Sequence, residues 1–185
     1  MHTILLALAQ GFSVLLPILL SGLFFIACIK KGWLAALNKP IDAGASIGGK
    51  AIFGPNKNWR GPIIYIVGGT AVTLALHALA AWQPWVARVY LANPWLLGLG
   101  TTTAYSVAEL VNSFIKRRLG LAPGAAGSRF QDIADNIDGA LGSGLVLLFF
   151  GLPLWLLAVS FVLSVLVHAS TDALMRALSL KKAKQ

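Results

Sequence analysis

The sequence predicts an all-α integral membrane protein with five transmembrane helices, the N-terminus outside and the C-terminus cytoplasmic. Three observations carry that expectation. Hydrophobic residues make up 57% of the 185 and charged residues 11%, against roughly 25% charged in a soluble domain, so the apolar surplus must face lipid. Long stretches without Asp, Glu, Lys or Arg recur along the chain. Positive charge gathers in alternate gaps between those stretches, as the retention of Lys and Arg in cytoplasmic loops requires. The net charge of +9 would suggest nucleic acid in a soluble protein. Here it reports orientation and attraction to anionic headgroups, and no nucleic-acid partner is expected. The single cysteine, Cys28, excludes an intramolecular disulfide and a Cys-based zinc site.

Helix one should cover about residues 3–29, because nothing before Lys30 is charged. It lacks a basic n-region and exceeds the 7–15-residue apolar core of a signal peptide, so it reads as a retained span. The uncharged stretches Gly61–Ala87 and Val89–Ala108 place helix two at about 62–82 and helix three at about 90–113. The next apolar run, from Ile133 to Asp172, would make a straight helix of about 60 Å against a hydrocarbon core of about 30 Å. Gly151-Leu152-Pro153 breaks it. Helix four then runs over about 133–151 and helix five over about 153–175, in a single membrane domain spanning 1–185. Loops 30–61 and 114–132 and the tail 176–185 share one side, and hold 14 of the 15 Lys and Arg residues. Arg88, the exception, lies among Trp82, Trp85, Tyr90 and Trp95, which read as an interfacial belt on the other side. Ala140 and Gly144, spaced i, i+4, permit the close packing that a homodimer would use. The expected location is the cell (inner) membrane, multi-pass, with any active site on the cytoplasmic face.

Loop one is rich in glycine and cations: Asp42, Gly44, Gly48, Gly49, Lys50, Gly54, Asn56, Lys57, Asn58, Trp59 and Arg60 follow one another closely. Glycines let backbone N–H groups converge on a phosphate, and cations supply the counter-charge. Gly44 to Lys50 nearly spells a P-loop, but Ala51 replaces the magnesium-binding hydroxyl and no strand precedes it, so a P-loop NTPase is excluded. A plain flexible connector also fits the glycines. It fits Asn56-Lys57-Asn58-Trp59-Arg60 poorly, because these stand where a helix N-terminus favours an anion.

The end of helix three carries Glu109, Ser113 and Lys116 or Arg117 at i, i+4 and i+7/i+8, one face with a carboxylate, a hydroxyl and cations. Asp132, Asp135 and Asp138 follow at intervals of three, an arc of roughly 120° on one side of a helix. Helix capping explains one or two such acids. Three on one face repel unless a cation lies between them, and Mg²⁺ is the natural hard ion. Carboxylates beside Lys and Arg are what metal-assisted phosphoryl chemistry uses.

These residues resemble the CDP-archaeol synthases, small five-helix relatives of the CDP-diacylglycerol synthases. The resemblance rests on Pro40-Ile41-Asp42-x-Gly44, on Ile52-Phe53-Gly54-x-Asn56-Lys57-x-Trp59-Arg60-Gly61, and on Ser113-Phe114-x-Lys116-Arg117-Arg118 with Asp132-x-x-Asp135. It implies transfer of CMP from CTP to a membrane lipid phosphate, either an archaeal ether lipid or phosphatidic acid, giving a CDP-lipid and pyrophosphate. Glu109 stands where the family pattern has Asp, and Asp138 is an acid beyond the ether-lipid pattern. The expected roles follow. Glu109, Asp132 and Asp135, supported by Asp138, hold Mg²⁺. Lys57, Arg60, Lys116 and Arg117 act with Asp135 at the reacting phosphates. Asp42, Gly44, Gly54, Asn56 and Ser113 join those four cations in binding the nucleotide. Two alternatives stay open. A CDP-alcohol phosphotransferase would begin with Asp135-x-x-Asp138-Gly139 but needs two further aspartates downstream, which the sequence lacks. A non-enzymatic transporter or lipid-binding protein would carry ionisable groups within its spans, where His77, His168 and Asp172 are the candidates and His77 reads as a packed or interfacial histidine.

Overall fold

The computed structural model describes residues 2–122 and 129–177, with the side chains at 129–134, 136, 168–169 and 171–177 left undescribed. The chain is all-helical. Helices α1 (His2–Lys31), α2 (Arg60–Ala80), α3 (Pro94–Arg118), α4 (Arg129–Phe149) and α5 (Leu154–Ala177) are joined by loops that, among the described residues, hold two short 3₁₀ turns and a two-stranded hairpin, β1 (Ser46–Ile47) and β2 (Lys50–Ala51). Each helix packs on its sequence neighbour and α5 returns to α1, closing a five-helix ring.

The ring is apolar outside and hydroxyl-lined inside. Val67, Leu96, Leu145, Phe149, Leu154 and Leu166 are exposed, whereas Ser21, Thr73, Thr102, Ser106, Ser143 and Ser160 are buried. Each of those hydroxyls donates to a backbone carbonyl one turn earlier on its own helix. That satisfies each polar group away from water and places small side chains between the helices at these positions, as in bilayer-embedded bundles. Helices α1 and α2 are long and apolar enough to cross a membrane by themselves, while α4 and α5 carry shorter apolar segments, Ile137–Phe149 and Leu154–Val167. Helix α3 turns Thr101, Thr102 and Ser106 inward, which lowers its apolar content.

The helix ends follow from caps. Asn93 accepts the N–H groups of Trp95 and Leu96 at 3.1 and 3.0 Å with Pro94 in the first turn, so α3 begins at Pro94 and residues 88–91 form a separate 3₁₀ turn. At its other end Leu121 and Gly120 donate to the carbonyls of Lys116 and Arg117, a capping pattern that extends the helix through Lys116, Arg117 and Arg118. Sequence expectation bounded helix three at about 113, although it read Lys116 and Arg117 on one helical face with Glu109. Gly151, at φ +84°, ends α4 as its N–H and that of Leu152 bond Leu148 and Leu147, and Pro153 then opens α5. An L-residue would be strained there.

At the end opposite the charged loops, residues 81–93 fold into the ring. Pro17 in α1 has no N–H for the carbonyl of Ser13, and the Tyr90 hydroxyl donates to that carbonyl at 3.1 Å. Ser13 Oγ accepts the Ala87 N–H at 3.0 Å, and His77 Nδ1 bonds the Tyr90 carbonyl at 2.7 Å. Tyr90 is therefore buried, not part of an interfacial belt, although Trp82 and Trp95 are exposed. Ala140 lines a cavity of about 70 Å³ inside the ring, and a Cβ at Gly144 would meet Leu157 of α5.

Candidate active site

The charged groups assemble where α3 and α4 meet loop one. The two helices can approach closely because Gly139 has no side chain; a Cβ there would lie 2.3 Å from the Tyr105 ring. Above this contact, Glu109, Asn112 and Lys116 form one face of α3, at i, i+3 and i+7. Lys116 forms an ion pair with Asp135 Oδ1 of α4. Asn112 Nδ2 donates to Asp135 Oδ1 and to Asp138 Oδ2, each at 2.7 Å. Asp138 Oδ1 accepts the N–H of Gly139 at 2.5 Å. Lys57 reaches across from loop one to Glu109 Oε2 at 3.0 Å.

Loop one is built to hold Lys57 there. Its base is closed by Ile41 N–H to Lys57 O at 2.9 Å and Trp59 N–H to Lys39 O at 3.1 Å. Asp42 turns inward and accepts the N–H groups of Phe53 and Gly54 on Oδ2, both at 2.9 Å, and that of Gly44 on Oδ1 at 3.1 Å. These amides, Gly54 foremost, hold its carboxyl below the usual carboxylate range against the opposing effect of burial. Asp42 and Gly44, expected to meet a nucleotide, are thus bound to each other, and Gly54 is buried behind them. The β1–β2 hairpin is clamped to the end of α3. The Arg118 guanidinium, over the Phe114 ring at 5.1 Å, donates to the carbonyls of Ile47, Lys50 and Ala51 at 2.6, 2.8 and 2.5 Å, and Lys50 Nζ donates to Arg118 O at 2.9 Å.

Two further cations are buried. Arg117 has no partner for Nε or Nη1 among the described residues, nor Arg60 for Nε. Arg60 lies 5.9 Å over the Phe25 ring, and its Nη1 reaches only 3.4 Å to the Trp33 carbonyl. Orphaned buried guanidinium donors are costly unless an anion completes them. Below them runs an aromatic floor, with Phe25 tilted on Tyr65 at 6.3 Å and Tyr65 stacked on Tyr105 at 4.9 Å.

Of the residues singled out in the sequence, Lys57, Glu109, Lys116, Asp135 and Asp138 therefore come together. Ser113 bonds its own helix at Glu109 O, and Asn56 is exposed while Asn58 pairs with Asn38. The side chain of Asp132 lies outside the described residues. Sequence reasoning missed Asn112 and Arg118 as site-builders. The signal for Asn112 was an amide one turn from Glu109, opposite two acids spaced i, i+3.

Among the described residues, no three His, Cys, Asp or Glu side chains converge on a metal-binding point. The donor chemistry nevertheless suits a hard divalent ion. Glu109 and Asp135 are carboxylates on facing sides of the cluster, each neutralised by an ammonium group where such an ion would supply the charge.

The family described as CarS-like: CDP-archaeol synthase matches residues 12–184. The CDP-archaeol synthase of Halobacterium salinarum is 31% identical over 157 residues, covering 80% of this chain and 84% of its own. That of Methanopyrus kandleri is 29% identical over 183 residues, covering 96% and 93%. A solved structure described as an intramembrane enzyme for archaeal membrane lipids biosynthesis shares the fold, with a TM-score of 0.61 at 20% identity, over 85% of this chain and 92% of that one.

Proposed function

This chain belongs to the CarS-like family of CDP-archaeol synthases, and on that premise we propose that the α3–α4–loop-one cluster is where it works. The activity is transfer of CMP from CTP to a lipid phosphate, giving a CDP-lipid. The observation that supports this location is the pair of buried guanidinium groups of Arg60, just after Lys57 in the chain, and Arg117, next to Lys116, whose donors lack full partners among the described residues. A triphosphate supplies the acceptors that these donors lack.

An oxygen of the lipid phosphate attacks the α-phosphorus of CTP in line, the new P–O bond forms as the bond to the β-phosphate bridging oxygen breaks, and pyrophosphate leaves. No general base is required, because a phosphate monoester is largely ionised near neutral pH. Lys57 and Lys116 exchange their carboxylate partners for phosphate oxygens when substrate enters. Arg60 and Arg117 neutralise charge that grows on the leaving group and equatorial oxygens. Mg²⁺, held by Glu109 and Asp135, would contribute charge stabilisation and substrate alignment when bound. Asp42 and Arg118 keep loop one in register so that Lys57 and Arg60 arrive together.

All five helices cross the cell membrane in this reading, with the N-terminus outside and the cluster at the cytoplasmic face. The bias of 14 among 15 cations supports that orientation. The exposed apolar exterior supports full embedding, with the lipid phosphate entering sideways and its chains left in the bilayer.

Purified protein supplied with CTP, Mg²⁺ and either an unsaturated archaeal ether-lipid phosphate or phosphatidic acid should release pyrophosphate and form the CDP-lipid. Product from neither lipid, or undiminished product from Asp135→Asn, overturns this reading.

A further inference from the structure

We infer that Asp138 acts only through Asn112, and that the two form a positioning pair that aims the carboxylate of Asp135. The inference rests on the site assignment above. Both N–H groups of the Asn112 amide are committed, one to Asp135 Oδ1 and one to Asp138 Oδ2, each at 2.7 Å. Because carboxylates offer only acceptors, the amide nitrogen must face both of them. Asp138 has its other oxygen on the N–H of Gly139. Its carboxylate is thereby tied at both ends, to its own backbone and to α3.

Asp135 is placed differently. Asn112 and Lys116 both meet its Oδ1, and Oδ2 takes neither bond. The arrangement restrains the carboxylate plane from one side, and among the described residues the second oxygen takes no bond, so it is the one a ligand would meet. An amide does this without cancelling charge. A lysine at 112 would add a second ammonium beside that of Lys116, so the two acids would stay neutralised even after Lys116 turns to a phosphate oxygen. Two carboxylates one helical turn apart also repel, and a shared neutral donor is the means of holding them at that spacing. Asp138 restrains Asn112, Asn112 orients Asp135, and Asp135 is the group that meets the bound ion or substrate.

The test is a double-mutant cycle on the full chain in detergent or nanodiscs, with Asn112→Ala, Asp138→Leu and the double variant, and with Asp138→Asn as the conservative control. The readouts are kcat and KM for CTP in cytidylyl transfer, Mn²⁺ affinity by paramagnetic resonance without lipid, and thermal unfolding. Each single variant should lose about 10- to 100-fold in kcat and in Mn²⁺ affinity, the range for residues that orient a ligand from behind. The double variant should lose no more than the worse single one. Asp138→Asn keeps an oxygen for Asn112 and should recover most of what Asp138→Leu loses. Losses that multiply in the double variant overturn the inference, as does Asp138→Asn proving as damaging as Asp138→Leu, because Asp138 would then touch the ligand itself. If Asp138→Leu does not fold, Asp138→Ala takes its place in the cycle and the same additivity criterion decides. A parent chain that makes no CDP-lipid from either lipid refutes the site assignment instead; an active parent with multiplying losses refutes only the pair.

Discussion

Lys57 Nζ and Glu109 Oε2 lie 3.0 Å apart, joining residues 52 positions distant in sequence and fixing loop one to the middle of the charged cluster. Both side chains are partly exposed, so the pair itself adds little to stability. Its importance is positional: it stores a cation and an anion side by side, each ready to take a substrate or ion partner.

Reversing the pair separates these roles. Lys57→Glu with Glu109→Lys restores opposite charges across the contact, so the double variant should melt near the parent temperature. It should still lose at least about 10²-fold in kcat/KM, the scale for removing one donor to a developing negative charge. Full recovery of turnover in the swapped variant would show that the pair is only a strut.

Arg118 holds the hairpin by three carbonyls that a single ammonium group cannot span. Arg118→Lys and Arg118→Ala should therefore behave alike. After solvent screening the clamp contributes on the order of 1 kcal/mol, so KM for CTP should rise about fivefold with kcat little changed. Hydrogen exchange at the amides of residues 46–51 should quicken in both variants. Unchanged exchange would mean the hairpin docks without the clamp.

Asp42 gives loop one a pH limit. Its carboxyl is held below the ordinary value of 3.8, chiefly by the Gly54 amide, so the ionised form stabilises the folded loop. That stabilisation is fully present above 3.8 and is lost only as pH falls through the lower folded value. Amide exchange at Phe53 and Gly54 should stay slow down to the ordinary carboxylate value and accelerate below it. In Asp42→Asn the exchange should be fast at neutral pH as well. Protection that disappears above 3.8 in the parent chain would contradict the assignment.

The helices were legible because lipid imposes a composition that polar loops interrupt, and Gly151-Leu152-Pro153 carries its own reason to turn. The ends were less so. The sequence bounded helix three near residue 113, yet the Gly120 cap keeps Lys116, Arg117 and Arg118 helical, and there Lys116 and Arg118 point to different partners. The acids and cations of the site were visible by type, whereas their pairing was not. Ser113 shares the Glu109 face on a helical wheel, but its one hydroxyl is satisfied on its own helix. Asn112 has two donors that a single helix cannot satisfy, so it bonds across to α4. Pairings of that kind depend on which helix lies opposite, and sequence spacing along one helix carries no information about it.

That opposition depends on Gly139. A Cβ at this position would stand 2.3 and 2.5 Å from Tyr105 ring atoms, and the ring cannot swing clear because Tyr65 stacks on it at 4.9 Å. Gly139→Ala must therefore push α4 from α3, lengthening the Asn112 bonds to Asp135 and Asp138 that lie about one turn away. Overpacking of this sort costs about 1–3 kcal/mol, so the variant should melt several degrees lower, with Mn²⁺ affinity and turnover falling together. Gly144→Ala is the control on the same helix. Its nearest neighbour is the terminal Leu157 Cδ1 at 3.3 Å, a flexible side-chain end that can yield, so melting and turnover should remain near the parent values. Adding Tyr105→Leu to Gly139→Ala should recover part of the lost stability by clearing the ring. If Gly139→Ala matches Gly144→Ala in both measurements, the α3–α4 contact does not set the site geometry.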